Sequence, residues 1–314
     1  MPQYRHSLPQ LSGRPFITDG GLETTLMFLE GIDLPCLAAF PLALNETGRE
    51  TLARYFEPYL AEARSRGLGV ILDTPTWRAN PDWAAKLGYS LGELREANRR
   101  SVQFAVELRA ADASPSVPIV INGVVGPRED GYVVGDTMSA AEAESYHGFQ
   151  IEAFRDSEAD MVSAITMTYA DEGAGIALAA RASGLPAVIS FTVETNGRLP
   201  SGESVREAIE RTDAATDAYP AYYMINCAHP EHFRSELTPG EPWLARLRGL
   251  RANASRKSHA ELDASPELDI GDPTQLGREY RALRSTLPHL CVVGGCCGTD
   301  HRHIRAICEA CFPG

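Results

Sequence analysis

Eight short apolar runs, each followed by a stretch with helical spacing, constrain this chain more than any other feature. They lie at residues 16–20, 69–76, 118–126, 160–167, 187–193, 221–227, 247–253 and 290–295. Runs of that length, rich in Val and Ile, read as strands buried on both faces. The seventh is weaker, because Arg248 and Arg251 interrupt it. Between the runs lie capping boxes, in which a hydroxyl and a glutamate three residues on satisfy each other's backbone donors. Thr47 with Glu50, Ser90 with Glu93, and Ser139 with Glu142 fit that pattern. Further helices are expected over residues 173–182, stopping at Gly184, and over 204–215 and 273–287. Eight strand–helix alternations predict an α/β fold of the (β/α)8 TIM-barrel type, a single domain spanning 1–314. A doubly wound open sheet is the alternative. It fits less well, since no Gly-rich dinucleotide fingerprint follows the first run and polar residues end many runs. Residues 31–45 and 251–274 are predicted as long loops over the C-terminal mouth.

The eighth run ends in Gly294-Gly295-Cys296-Cys297-Gly298-Thr299-Asp300. Two thiols therefore lie where a strand stops and a helix, capped by Thr299 or Asp300, begins. Adjacent cysteines on a regular strand would point to opposite faces. At a glycine-loosened strand end both can turn toward one ion. The sixth run supplies a third thiol, in Asn226-Cys227-Ala228-His229-Pro230. Three protein ligands with one open position are the catalytic arrangement of zinc. Buried thiols or a vicinal disulfide are the plainer readings of the same residues.

These two motifs, with Thr18-Asp19-Gly20-Gly21-Leu22-Glu23-Thr24 near the N-terminus, resemble the homocysteine S-methyltransferase family. The resemblance covers nearly the whole chain, and its cysteine motif is the specific part. It implies a barrel with Zn2+ held by Cys227, Cys296 and Cys297 at the mouth. It also implies methyl transfer from a small cationic donor, such as S-methylmethionine, to the thiol of homocysteine or a relative, giving methionine. The chemistry suits the ligands. A free thiol has a pKa of about 8.5, and a metal stabilises its thiolate. Three thiolates leave the bound sulfur electron-rich, whereas oxygen or nitrogen ligands would favour water activation. A zinc hydrolase using His229 or Glu194 as base is the rival reading, and a Cys296–Cys297 redox sensor without catalysis is the third.

Around the thiols, Asp19 is expected to hold an ammonium or to cap the helix from Leu22, and Gly20 and Gly21 to offer backbone N–H groups to a carboxylate. Trp77 would present its ring to a methylated cation, worth roughly 0.5–2 kcal/mol. Trp83 reads as loop packing and Glu23 as solvent-facing. Thr74, Asn122, Glu194 and Asn226 are polar strand ends aimed at the same pocket, and Asn253 ends the seventh run. One departure from the family pattern stands out: Ile165 occupies the place where the resemblance expects an acid for the acceptor's amino group. Arg78 and Thr166 also stand where betaine-binding aromatics would be.

The net charge of −13 argues against nucleic acid or an anionic membrane as partner. No apolar run reaches the roughly 20 residues of a membrane helix. Seven cysteines, only one of them before residue 227, are no disulfide framework. The reading is a cytoplasmic protein, with a homo-oligomer left open. Cys308 and Cys311 read as the apolar face of the last helix, Cys36 and Cys291 as structural. His229 reads as a neighbour of the site, and His301 and His303 as helix-start residues.

Overall fold

In the computed structural model, which describes residues 1–112 and 117–312, eight parallel strands close into a barrel. The strands are β1 (Phe16–Ile17), β2 (Gly69–Asp73), β3 (Ile119–Val125), β4 (Met161–Met167), β5 (Ala187–Phe191), β6 (Tyr222–Asn226), β7 (Leu247–Ala252) and β8 (Val292–Gly295). Each apolar run became a strand, including the seventh with its two arginines. Strand β1 pairs with both β2 and β8, so the sheet has no free edge. The fold is the (β/α)8 barrel, and the open-sheet alternative is excluded.

A helix follows each strand: α1 (Glu46–Arg66), α2 (Leu91–Ala111), α3 (Ala140–Arg155), α4 (Ala170–Ala182), α5 (Val205–Thr216), α6 (Pro230–Phe233), α7 (Pro273–Thr286) and α8 (His301–Cys311). The capping boxes at Ser90 and Ser139 form as expected, and Ser204 with Glu207 makes another. The Thr47–Glu50 box does not. Helix α1 starts earlier, because extended Asn45 accepts from Gly48 N at 2.8 Å. Helix α4 also starts earlier than expected, at Ala170, where the preceding Tyr169 supplies no cap and the distant Glu203 accepts from Ala170 N at 3.2 Å instead, so no local motif announced it. Asp300 caps α8.

Alternation along the strands sorts the core into two layers. Phe16, Ile71, Val120, Met161, Val188, Tyr222 and Val292 fill the barrel, while Ile17, Val70, Ile121, Ile189 and Val293 pack outward against the helices. At the N-terminal face, Asp160 ties the first residues to the barrel floor. Its carboxylate accepts from Gln3 N at 2.6 Å, Tyr4 N at 2.8 Å, Ile121 N at 3.0 Å and Arg109 at 2.8 Å. No helix among the described residues is long and apolar enough to cross a membrane. At the opposite face the loops after β1, β2, β3 and β7 surround the cavity that positions the site.

Candidate active site

Strands β6 and β8 deliver three thiols to the floor of that cavity. Cys227 follows β6 in the left-handed region, φ +54°, which turns its side chain inward. Cys296 and Cys297 follow β8. A Cβ on Gly295 would lie 2.0 Å from Thr299 Oγ1, so only glycine lets this strand end meet the start of α8. Cys227 Sγ lies 2.8 Å from Cys296 Sγ and 3.5 Å from Cys297 Sγ, and all three sulfurs fit within 4.8 Å of one another. No fourth His, Cys, Asp or Glu joins this cluster among the described residues. Three soft donors facing an open cavity fit a zinc ion with one vacant coordination position.

Two polar groups hold the sulfurs. Tyr132 O–H donates to Cys297 Sγ at 3.3 Å and lies 3.5 Å from Cys227 Sγ. Asn226 Nδ2 points at Cys296 Sγ from 3.8 Å. Hydrogen bonds from the Cys227 and Cys297 thiols, helped by the charge of Arg251, hold the Cys296 thiol well below its ordinary range. Hydrogen bonds shared with Cys296 and Cys297 push the Cys227 thiol up.

The sequence profile of the homocysteine S-methyltransferase family matches residues 16–311. The chain belongs to that family. It is a methyltransferase acting on a thiol. The barrel superimposes on crystal structures of the homocysteine methyltransferase MmuM from Escherichia coli. The oxidized form gives a TM-score of 0.72 at 20% identity, covering 93% of this chain and 94% of that one. The metallated form gives 0.71 at 20% identity, covering 95% and 97%, and the apo form 0.66 at 19%, covering 95% and 96%. A search of curated protein sequences found no match.

Beside the thiols lies a buried charge cluster that this family member builds from three strands. Arg251, on β7, donates to Asp19 Oδ1 at 2.7 Å, forms a second ion pair with Asp73 at the end of β2, and reaches Gly295 O at 3.2 Å. Tyr55 O–H donates to Asp19 Oδ2 at 3.0 Å. Two carboxylates share one guanidinium, so the cluster keeps a negative excess. Burial, with Asp73 adding to it and Arg251 and Tyr55 opposing it, pushes Asp19 up to about 7. Asp19 lines the cavity but is already paired, and it caps no helix: the short helix at Leu22–Thr24 starts after Gly21 without a side-chain cap.

Gly20 and Gly21 also line the cavity. Their need for glycine is close approach, since a Cβ on either would lie 2.6 Å from a backbone carbonyl, Thr299 O or Cys296 O. The N–H of Gly21 is spent on Thr299 O at 2.9 Å, so it does not serve a carboxylate as expected. Glu23 is a correction. It is half-buried, not solvent-facing, and it lines the cavity, where burial pushes it up to about 7.

Thr74, Trp77, Ile165 and Thr166 form the far wall. The hydroxyl of Thr74 is shared with Thr76 at 2.7 Å and Val124 N at 3.0 Å. Trp77 Nε1 donates to Ile165 O at 3.0 Å. One face of its indole is covered by the Arg78 guanidinium at 4.1 Å, and the other side of that guanidinium rests on Trp83 at 3.9 Å. The expected open aromatic face is thus occupied from within, and Trp83 belongs to the same stack.

Three expected contacts lie off the cavity wall. Asn122 sits one layer below, donating to Asp73 Oδ1 at 2.7 Å and accepting from Ser163 at 3.0 Å. Asn226 accepts from Thr166 N at 3.0 Å and Ser190 Oγ at 2.6 Å, and donates to Thr166 Oγ1 at 2.8 Å. That grip holds Thr166 at φ +69°, a costly conformation for a β-branched residue. Glu194 contacts His259 at 3.0 Å. His259 reaches Cys227 O at 2.8 Å and stacks on Tyr132 with ring centres 4.0 Å apart. Glu194 therefore braces the thiol floor rather than facing it. His229 caps α6 and contacts Glu279 at 3.2 Å, away from the sulfurs. Both bases of the hydrolase reading are thus committed elsewhere.

Arg251, Asp73 and Tyr132 were missed as site residues. The first two had a signal: a charge inside an apolar run is costly unless paired, and Arg251 and Asp73 are such charges. Tyr132 had none, because it comes from an irregular loop.

Proposed function

We propose that this chain is a zinc-dependent homocysteine S-methyltransferase whose donor is a small sulfonium or quaternary ammonium compound of the S-methylmethionine type. The observation that carries it is the convergence of Cys227, Cys296 and Cys297 on the floor of the cavity at the barrel mouth. Zinc held there would stabilise the acceptor's thiolate at neutral pH. The remaining work falls to the chain. Tyr132 and Asn226 fix the sulfurs; Trp77, Val124 and Ile165 keep the far wall apolar and limit water. Among the described residues Glu23, Asp130 and Asp263 line the cavity without an ion pair, and carboxylates in its lining outnumber cations. That field favours a donor with positive charge. Glu23, poised near neutral pH, suits an acceptor's ammonium or its leaving thiol proton. We further propose that residues 1–314 act as one unit, in the cytoplasm, in methionine formation.

The test is direct. Zinc-loaded protein incubated with homocysteine and a panel of methylated cations should form methionine, read by mass spectrometry. X-ray absorption at the zinc edge should gain a sulfur neighbour on adding homocysteine. Absence of both would overturn the reading.

A further inference from the structure

Among the described residues lining the cavity, Arg78 is the arginine without an ion pair; Asp130 and Glu23 act on it only from beyond contact distance. Its side chain is 4% exposed and lines the cavity. No carboxylate oxygen among the described residues lies within 4.0 Å of it, in contrast to Arg251, which holds two. One Nη donates to Glu129 O, and Nε is buried with no partner. A buried charge in this condition is expensive, and proteins ordinarily pair it.

The surroundings fix this guanidinium rather than hide it. Trp77 and Trp83 clamp it from both sides, at 4.1 Å and 3.9 Å. Trp77 is pinned by Ile165 O and Trp83 by Glu129 O, at 3.0 Å and 3.3 Å. The loop beneath is cut to fit: a Cβ on Gly126 would lie 2.8 Å from the Trp77 ring, and one on Gly131 would lie 3.0 Å from it. Burial draws Arg78 down to about 10, which leaves it charged at neutral pH. A rigid, planar, charged fork with an unused N–H is the group that recognises a carboxylate. Of the two backbone N–H groups expected to meet a carboxylate, those of Gly20 and Gly21, that of Gly21 is already used inside the fold.

We propose that Arg78 is the carboxylate anchor of this cavity and so selects amino-acid-type substrates. The inference deepens the methyl-transfer reading and rests on it. It has a corollary. The Trp77–Trp83 stack is filled by the protein's own cation and therefore does not receive the methyl-bearing onium group.

The carboxylate can belong to the acceptor or to the donor, and two arms of one experiment separate them. In the first, calorimetry measures binding of homocysteine and of 3-aminopropane-1-thiol, its carboxylate-free form, to zinc-loaded protein. In the second, methyl transfer to a saturating acceptor compares S-methylmethionine with trimethylsulfonium. Each arm uses wild type, Arg78→Met and Arg78→Lys, with thermal unfolding as the check on folding. If Arg78 anchors the acceptor, wild type favours homocysteine by about 10- to 100-fold. Arg78→Met erases that preference, Arg78→Lys restores part of it, and the donor KM is unchanged. If it anchors the donor, the same pattern appears in the donor KM alone. Equal affinity of wild type for both thiols, with equal KM for both donors, overturns the anchor while thiol methylation stands. A carboxylate preference that survives Arg78→Met in folded protein also overturns it. Failure of wild type to bind any thiol removes the methyl-transfer reading and this one together.

Discussion

The two ends of the barrel treat a buried charge in opposite ways. At the N-terminal face, Asp160 collects an arginine and three backbone N–H groups, and nothing is left over. At the mouth, Asp19 and Asp73 divide one arginine, and among the described residues no carboxylate lies within ion-pair distance of Arg78, on which Asp130 and Glu23 act only from farther off. The floor is closed upon itself and serves stability. The mouth leaves charge uncompensated, which costs stability and is available to a ligand. That division matches the general rule for this architecture, in which chemistry sits at the C-terminal ends of strands.

The comparison breaks first at the thiols. Cys297→Ser should lower methyl transfer by more than about 100-fold and reduce bound zinc, with metal-free stability within about 1 kcal/mol of wild type. Product mass spectrometry, metal analysis and urea unfolding read the three quantities. A large stability loss in the metal-free protein would mean that the mouth is structural too. Asp160→Ala should do the reverse, costing roughly 3–5 kcal/mol because Arg109 is left buried and unpaired. Turnover per folded molecule should stay within about twofold. Urea midpoints and active-site-normalised kcat decide it.

Asp19 gives a subtler contrast. Its native pKa is raised to about 7, above the unfolded value of about 4. Between those values the native state binds the extra proton, so stability falls as pH rises from about 4 to about 7. Asp19→Asn should flatten that part of the curve, seen in urea midpoints across the range. A wild-type curve that rises there would refute it. The smallest effect is expected at Cys308→Ala, on the buried face of α8. It should cost about 1 kcal/mol and leave methyl transfer unchanged, unlike the thiols at the mouth.

Much of this was legible beforehand because it is local. Strand runs, the boxes at Ser90 and Ser139, and the Cys296–Cys297 doublet each declare themselves within a few residues. Cys227 was within reach because it ends a strand in the same register. What stayed hidden depends on pairings across the barrel. Arg251 looks like an interruption of β7 until Asp19 and Asp73, from β1 and β2, are brought beside it. Trp77 looks like an open aromatic face until Arg78 folds over it and Trp83 closes the stack. Glu23 was misplaced for a related reason: the helix that carries it passes from α to π geometry at Thr25, which breaks the 3.6-residue periodicity that would show which side faces inward. Asn226 and Glu194 were placed at or just beyond the right strand ends, whereas Asn122, expected at one, lies in the middle of β3; all three support the wall from behind.

The seam between β1 and β8 has a consequence for how the protein comes to life. The strand that closes the ring leads directly to two of the three sulfurs, so pairing of β8 with β1 brings together the thiols that could hold a metal. A growing chain that has emerged only as far as β7 holds a lone thiol at the end of β6 and no place for an ion. Capture of a metal by these thiols would therefore report that the ring has shut, and an ion bridging the ends of β6 and β8 would resist its reopening.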